Sequence, residues 1–370
     1  MSVTDGDSLP DGHGKERKRM SRVVILTVIL VAILMVSAVA WLAVQSGNNE
    51  EQHPSEYTKH SPILINGNGG FTNASGVVQG SGTASDPYII ANWYISASNA
   101  DGIWIQDTDA HFTVRNCQVH NGTGHSGIYL SNCVNGALEN NNCSDNYDGI
   151  YLVSSSNNTL SNNSCSSSSY DGIYLVSSSN NRLSNNSCSS NFYNGITLLS
   201  SNNNTLSDNN CSSNDNGGIT LGLSSNNTLS ENNCSSNAFW GIGLGSLSIN
   251  NEICWNQVSN NGGCGVDIYS GSNNRIWYNI IISNNRATDT YNPSHAQARD
   301  DGTNNYWNGT DVYGNHGNYW SDWRTPDAVS PHGIVDQPYI ILGSAGAKDY
   351  YPLTYNPLKF AISSISSYLS

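Results

Sequence analysis

Charge is scarce in this sequence. Asp, Glu, Lys and Arg make up only 11% of the 370 residues, and no lysine lies between Lys59 and Lys348. Acidic residues outnumber basic ones, which gives a formal net charge of −14. Such a surface cannot neutralise a row of phosphates, so the sequence excludes nucleic acid as a partner. Hydrophobic residues still reach 37%, which is too many for a disordered polar chain.

Charged residues are also absent from the run Val23 to Val44, and the basic cluster GKERKR (Gly14 to Arg19) lies before it. At about 1.5 Å per residue this run is long enough to cross a bilayer of roughly 30 Å. The basic cluster predicts that residues 1–22 are cytoplasmic, that residues 23–45 form a single-pass plasma-membrane anchor, and that the remainder is extracytoplasmic. A cleaved signal peptide ending near Ala38-Val39-Ala40 is the alternative.

The rest of the chain repeats itself. Within each unit, apolar residues alternate over short runs such as Gly149-Ile150-Tyr151-Leu152, and clusters of Ser and Asn separate the runs. A unit of about 23 residues holds three short strands and three turns, which is one coil of a parallel β-helix. The sequence therefore predicts an all-β, single-stranded, right-handed parallel β-helix of about eight or nine coils. A Gly followed by Ile or Val marks the coils, at Gly102, Gly127, Gly149, Gly172, Gly195, Gly218, Gly241 and Gly265.

The segments on either side of the repeat depart from its pattern. Each open end of a β-helix exposes unpaired backbone, so we expect a cap at each end. The predicted organisation after the anchor is a linker over 46–61, an N-terminal cap over 62–100, the repeats over 101–300, a C-terminal cap over 301–358 and a tail over 359–370.

Two columns of buried or turn residues are expected from the register of the coils. Each Asn pair lies where a turn needs a left-handed residue, and stacked amides can bond along the column: Asn157-Asn158, Asn180-Asn181, Asn203-Asn204 and Asn226-Asn227. A cysteine column points inward, and we expect buried free thiols there: Cys143, Cys165, Cys188, Cys211 and Cys234.

Both caps resemble one family. The stretch GSGTASDPYIIANWYI (Gly80 to Ile95) is similar to the entry segment of archaeal cell-surface proteins built on NosD-like right-handed β-helices. GNYWSDW (Gly317 to Trp323), GIVDQPYII (Gly333 to Ile341) and DYYPL (Asp349 to Leu353) resemble that family's exit segment. The resemblance implies the β-helix fold, which the family shares with carbohydrate-binding and sugar-hydrolase domains. It also implies a link to copper-site maturation, and many relatives carry a calcium-like loop where this chain has Asp327 to His332.

Aromatic residues follow four of the Gly-Ile markers, and Thr197 and Thr220 continue their column. Alternation places these side chains on the solvent face, one per coil, in a strip roughly 14 Å long. Ring faces can stack on sugars, so we predict a ligand-binding strip of Trp104, Tyr129, Tyr151 and Tyr174, with Asp101 beside it. The alternative is that aromatic residues simply suit strands and stabilise one another across coils.

Two pairs of acids recur in consecutive coils. Asp148 and Asp171 precede their glycines, and Asp208 and Glu231 each lie two residues after a leucine. Carboxylates about 5 Å apart suit a retaining glycosidase or a calcium ion, so these four residues are the catalytic candidates. Any two acids in equivalent positions of adjacent coils acquire this spacing. The alternative interpretation is that the four residues are solvated turn residues with no catalytic role. No cofactor is required, and calcium is an alternative ligand of the pairs.

Histidines and sequons give the remaining candidates. His111, His120 and His125 lie within about one coil and are the candidate metal ligands, although their spacing matches no specific motif and copper is not expected. Asn73, Asn121 and Asn308 are candidate glycosylation sites in an extracytoplasmic chain.

Taken together, the residues favour noncatalytic binding of envelope or extracellular glycans. A polysaccharide hydrolase or lyase using the acid pairs is the first alternative, although few basic residues occur in the coils to assist a lyase. A NosD-like accessory protein that handles copper and a purely structural surface spacer are the others.

Overall fold

The computed structural model describes residues 57–357 except residues 313, 325 and 328–332. The predicted cytoplasmic segment 1–22, the predicted anchor 23–45, most of the linker and the tail 359–370 lie outside the described residues. Within the described part, no helix has both the length and the hydropathy needed to cross a membrane.

One ten-stranded sheet, called sheet 1 here, runs the length of the fold. All its neighbouring strands are parallel, and each Gly-Ile marker opens one of them. Its strands are Ile63–Asn66, Ile103–Thr108, Ile128–Cys133, Ile150–Val153, Ile173–Val176, Ile196–Leu199, Ile219–Gly222, Ile242–Leu244, Val266–Ile268 and Ala298–Asp300.

A second ten-stranded sheet, sheet 2, forms the next face. It is parallel except where its first two strands pair in antiparallel fashion. Its strands are Val77–Gln79, Tyr88–Ala91, Phe112–Arg115, Gly136–Glu139, Thr159–Ser161, Arg182–Ser184, Thr205–Ser207, Thr228–Ser230, Glu252–Cys254 and Arg275–Trp277.

The third face is narrower. Isolated parallel bridges from Gln118 through Ser164 to Asn233 join two short sheets into one continuous face. The first sheet contains Thr58–His60, Trp93–Ser96 and Gln118–His120, and the second contains Asn233–Ser235, Gln257–Ser259, Ile280–Ile282 and Tyr319–Trp320. The described part also contains the antiparallel pairs Gly309–Asp311 with Gly314–His316 and Tyr339–Ile340 with Lys348–Asp349, and the 3-10 turns Asn68–Gly70, Asn73–Ser75 and Pro293–His295.

These three faces wind into a right-handed-type parallel β-solenoid of about eight turns, as the repeat predicts. Burial alternates along each strand, so Ile150 and Leu152 are fully buried while Tyr151 between them is half-buried. Each buried residue lies against its equivalent in the next coil, since Ile150 pairs with Ile173 and Leu152 pairs with Leu175. One coil alone could not bury these side chains, so stacking of coils creates the core.

The Asn pairs behave as the sequence predicts. The first Asn of each pair has a left-handed backbone, with φ of 58° at Asn157 and Asn180. The second is buried, and the Nδ2 of Asn158 donates to the Oδ1 of Asn181 at 3.2 Å. A buried amide that lost such a partner would cost about 1–3 kcal/mol, so this register strongly disfavours slippage.

The buried amides form three ladders in which a backbone N–H, a side-chain amide or both donate to the side-chain oxygen of the following coil. The last amide of each ladder therefore needs an acceptor that the repeat cannot supply. The C-terminal region provides a carboxylate each time. Asn318 donates to Asp349, Asn305 to Asp300, and Gln297 to Asp322.

The cysteine column is confirmed as five buried free thiols: Cys143, Cys165, Cys188, Cys211 and Cys234. Burial raises the pKa of the Cys165, Cys188, Cys211 and Cys234 thiols well above the usual value. These four side chains therefore remain uncharged and act as small hydrophobic groups.

The N-terminal cap predicted over 62–100 is more regular than its sequence indicates. Ile63–Asn66 pairs in parallel with Ile103–Gln106 of sheet 1, and Tyr88–Ala91 pairs in parallel with Phe112–Arg115 of sheet 2. This region thus supplies a first irregular turn on which the repeats stack.

Candidate functional site

The predicted aromatic strip lies on the solvent face of sheet 1 as part of a longer row. Strand pairing aligns one residue from each strand in a row that begins at Leu64, and we call the nine residues from Trp104 onward the outer column. Buried residues, aliphatic except for Asp300, flank these positions on each strand, and this alternation directs the column outward. The outer column contains Trp104, Tyr129, Tyr151, Tyr174, Thr197, Thr220, Gly243, Asp267 and Arg299.

The four aromatic rings of the outer column contact one another in sequence: the three tyrosines stack, and Trp104 is tilted by 33° against Tyr129. Ring centroids lie 5.4 Å apart for Trp104 and Tyr129, 5.1 Å for Tyr129 and Tyr151, and 5.2 Å for Tyr151 and Tyr174. The tyrosine planes are within 14° of parallel. Each inner ring is therefore covered on both faces, and the strip presents ring edges and hydroxyls to solvent. The sequence-based expectation that ring faces along the strip stack on sugars does not fit this arrangement.

Burial raises the pKa of Tyr151, and the neighbouring Tyr129 adds to the rise. The pKa of Tyr174 is raised to about 12, first by burial and then by Tyr151. Both phenols therefore keep their protons across the physiological range, and they remain able to donate hydrogen bonds.

A second tyrosine ladder, which the sequence reasoning missed, lies in the turn before sheet 1. Tyr147, Tyr170 and Tyr193 stack with centroids 5.4 and 4.8 Å apart and planes within 10° of parallel. Each of them lies two residues before a marker glycine, so the same periodicity could have identified them. Tyr147 is 41% exposed, which makes this ladder a second row of accessible phenols.

Asp148 and Asp171 lie in consecutive coils, as predicted, but they are buried, with exposures of 3% and 1%. The Oδ1 of Asp148 accepts from the backbone N–H of Asp171 at 3.1 Å, and the Oδ1 of Asp171 accepts from that of Asn194 at 2.8 Å. The Oδ1 of Asn194 accepts the equivalent hydrogen bond from the backbone N–H of Gly217, so an uncharged amide fills the same role. The position before the marker glycine is thus a structural rung, which Asp and Asn both fill.

Burial is the main reason that the pKa of Asp148 rises to about 7 and that of Asp171 to about 8. Asp148 adds to the effect on Asp171, because two buried negative charges in adjacent coils repel one another. Asp101 occupies the same rung earlier in the chain and accepts from the backbone N–H of Ser126 at 2.6 Å.

Asp208 and Glu231 are in a different place. Both are exposed, both have left-handed backbones, and both follow strands of sheet 2. They share a turn column with Asn162 and Asn185, which have the same backbone conformation. The two acid pairs therefore belong to different faces and do not form one site.

The three histidines do not converge. His125 Nδ1 lies 4.0 Å from Asp101 Oδ1, whereas the ring of His120 packs against Tyr94 with centroids 4.4 Å apart. His111 precedes a strand of sheet 2. Throughout the described residues, no group of three or more His, Cys, Asp or Glu side chains is placed to hold a metal ion.

The candidate glycosylation sites differ in exposure. Asn73, in a short 3-10 turn, and Asn121, in a left-handed turn, are exposed, while Asn308 is half-buried. Most of the calcium-like loop from Asp327 to His332 lies outside the described residues. The carboxylate of Asp327 accepts from the backbone N–H of Gly333 at 3.1 Å.

The winding, the three faces and the amide ladders define the class as a parallel β-solenoid. The sequence profile of NosD, described as a periplasmic copper-binding protein, matches residues 56–198 and 125–325. The chain therefore belongs to the NosD family, whose proteins are extracytoplasmic. The finer resemblance to archaeal cell-surface members stays a prediction.

Solved structures show the same architecture at low sequence identity. The mannuronan C-5 epimerase AlgE6 A-module of Azotobacter vinelandii is 14% identical, with a TM-score of 0.51 over 71% of this chain and 77% of that one. Pectate lyase Pel9A is 15% identical, with a TM-score of 0.46 over 62% and 66%. A point mutant of the periplasmic alginate epimerase AlgG is 20% identical, with a TM-score of 0.42 over 50% and 48%.

The chain thus spans about half the length of that alginate epimerase. No curated protein matches the sequence. At these identities the likeness to solved structures concerns the fold alone.

The described residues do not fit the copper that the family description implies. Copper sites need several His, Cys or Met ligands around one point, and the histidines of this region are spread along the coils. The thiols from Cys165 to Cys234 are buried and protonated, whereas a metal-binding cysteine needs to be a thiolate.

Proposed function

We propose that this protein is a noncatalytic glycan-binding protein of the cell envelope, and that the glycan lies along the outer face of sheet 1. The observation that carries the proposal is the outer column, whose strand register is unbroken from Trp104 to Arg299 and which directs one side chain per coil to solvent from Trp104 to Thr220. A polymer with a short repeat can meet equivalent groups at successive coils on such a face.

The chemistry of the first half of this face suits sugar hydroxyls. Stacking fixes Tyr129, Tyr151 and Tyr174, so little side-chain entropy is lost when they bind. Their phenol groups can donate to and accept from a row of hydroxyls, and Thr197 and Thr220 extend the row. The second ladder, from Tyr147 to Tyr193, lines the same edge.

The charge of the chain favours a neutral glycan. The net charge is −14, and no lysine lies between Lys59 and Lys348. An acidic polysaccharide would therefore be repelled over most of the surface. An acidic glycan would need a bound calcium ion to bridge it to the negatively charged protein.

Binding is preferred to catalysis because of where the acid pairs lie. A glycosidase carboxylate must reach the scissile bond, but Asp148 and Asp171 are almost fully buried and bonded to backbone amides. Asp208 and Glu231 each follow a strand of sheet 2, so they do not lie on the outer face of sheet 1 where the glycan is proposed to bind. Membrane anchoring through residues 23–45 remains part of the proposal.

The test compares retention of the full-length protein on insoluble neutral polysaccharides for the Tyr151→Ala/Tyr174→Ala double variant and the wild type. We expect retention to fall about tenfold or more in the double variant. Tyr306→Ala is the matched control, since Tyr306 is 54% exposed and lies outside sheet 1. Unchanged retention of the double variant would contradict the proposal, and release of new chain ends would replace binding with catalysis.

A further inference from the structure

The far end of the outer column contains a pocket that differs from the ladder. It is a cavity of about 440 Å³ on the outer face of sheet 1, and we call it the Trp240 pocket. Gly243 and Asp267 of the outer column form part of its wall. The side chains used below are Thr220, Trp240, Asp267, Tyr269 and Arg299.

Glycine makes room for the Trp240 ring. A Cβ atom at Gly217 would lie 2.1 Å from the indole Nε1, and one at Gly243 would lie 2.7 Å from it. The Nε1 of Trp240 donates to the Oγ1 of Thr220 at 2.9 Å. The indole is therefore fixed against the sheet in the place where a larger side chain of the outer column would lie.

The rings of Trp240 and Tyr269 do not stack face to face on other aromatic rings of the described residues. The ring contact of Trp240 is a tilted one with Phe239, at 6.1 Å between centroids and 47° between planes. Tyr269 is 65% exposed, and the Cζ of Arg299 lies 5.8 Å from its ring centroid. An aromatic face open to a cavity is what a sugar ring needs for stacking, and the inner ladder rings Tyr129 and Tyr151 lack one.

A polar cluster closes the other side of the Trp240 pocket. The Nε of Arg299 lies 2.6 Å from the Oδ2 of Asp301 and 3.8 Å from the Oδ1 of Asp267. That Asp267 oxygen is buried and has no hydrogen-bond partner in the described part of the protein. Both ion pairs of Arg299 within the described residues use Nε rather than the terminal nitrogens of the guanidinium.

Charge distinguishes the ligands that this cluster can accept. Burial raises the pKa of Asp267, with Arg299 opposing the rise, while the Ser344 amide and Arg299 hold the pKa of Asp301 below its usual range. One guanidinium faces two carboxyl groups, so the cluster has no surplus positive charge for an acidic sugar. It does have acceptors and donors for adjacent hydroxyls.

We propose that the Trp240 pocket holds one neutral pyranose residue of the bound glycan, stacked on Trp240 and Tyr269 and hydrogen-bonded through its hydroxyls to Asp267 and Arg299. The inference rests on the proposed function, because it assigns the sugar class and the point of closest contact on the same face. The ladder then contacts the remainder of the glycan through hydroxyls.

The test titrates full-length protein with cellohexaose, xylohexaose and mannohexaose, and with hexagalacturonate as the acidic comparison, and follows binding by calorimetry. We expect at least one neutral hexasaccharide to bind, and Trp240→Ala and Tyr269→Ala each to weaken it about tenfold or more. Tyr269 is largely exposed, so its removal leaves the fold intact even if Trp240→Ala does not fold. Tyr350→Ala is the matched control, since Tyr350 is 60% exposed, similar to Tyr269, and does not line the Trp240 pocket.

The outcomes separate the two proposals. If both pocket variants bind like wild type while Tyr151→Ala/Tyr174→Ala does not, the pocket assignment is wrong and the proposed function stands. Preference for hexagalacturonate would overturn the neutral-sugar assignment. If wild type binds none of the four probes, both proposals fail.

Discussion

The two halves of the outer column use aromatic residues in opposite ways. From Trp104 to Tyr174 each coil contributes one aromatic residue to the column, and the rings cover one another. From Gly243 to Arg299 the repeat is interrupted, and the faces of Trp240 and Tyr269 open onto a cavity. Repetition thus builds a rigid ladder, and departures from repetition build the pocket.

Substitution of a marker glycine in the ladder half should give the largest loss of stability. At Gly172 an added Cβ would lie 2.6 Å from the carbonyl oxygen of Gly195 and 2.7 Å from that of Cys165, and neither backbone atom can move alone. We expect Gly172→Ala to lower the free energy of unfolding by about 2–3 kcal/mol. Chemical denaturation would measure the loss.

Gly243→Ala should act differently, because the three atoms nearest to its new Cβ all belong to the side chain of Trp240. We expect a much smaller loss of stability, but displacement of the indole should weaken hexasaccharide binding about tenfold. Equal destabilisation by the two substitutions would contradict the distinction between ladder and pocket.

The buried carboxyls of the ladder half should make stability depend on pH. The folded-state pKa values of Asp148 and Asp171, about 7 and about 8, are raised above the ordinary 3.8. The folded protein thus holds protons that the unfolded chain has released, so stability falls as pH rises from about 4 to about 8. Thermal unfolding across this range would follow the decline.

Asp171→Asn copies the next rung, Asn194, and should remove much of this decline. We expect the variant to unfold several degrees higher than wild type at pH 8, and to differ little from it near pH 4. Asp215→Asn is the control, because Asp215 is exposed. A variant that is less stable than wild type at pH 8 would show that the carboxylate is needed charged.

Ring stacking within the ladder should give the smallest effect. Tyr151 stacks on both sides, whereas Tyr174 has Tyr151 on one side and Thr197 on the other. Since an aromatic pair contributes about 0.5–1.5 kcal/mol beyond burial, Tyr151→Ala should cost more stability than Tyr174→Ala by about 1 kcal/mol. Denaturation of the two variants would detect the difference, and the reverse order would contradict the stacking account.

The sequence predicted the solenoid because the pattern of the coils is local and repeated. Gly149-Ile150-Tyr151-Leu152 predicts which side chains point inward, and the Asn pair at Asn157 predicts both the left-handed turn and the amide ladder. Irregular parts are harder to predict. Nothing in the repeat indicated that Asp300, Asp322 and Asp349 would terminate the amide ladders.

The candidate site was only partly predictable for the same reason. The outer column was predicted from Trp104 to Thr220, and extending its register would have added Asp267. Whether the rings face solvent or one another depends on side-chain rotation, which spacing does not specify. The Trp240 ring crosses from a turn onto the sheet, so its place depends on the empty space at Gly217 and Gly243.

The central claim, that glycan lies along the outer face of sheet 1, is tested most directly by photo-crosslinking. The hexasaccharide that binds best would carry a diazirine, and mass spectrometry would identify the labelled residues of the full-length protein. We predict labels on the strands of the outer column and on Trp240 and Tyr269. Labels confined to sheet 2 or to the third face would contradict the account.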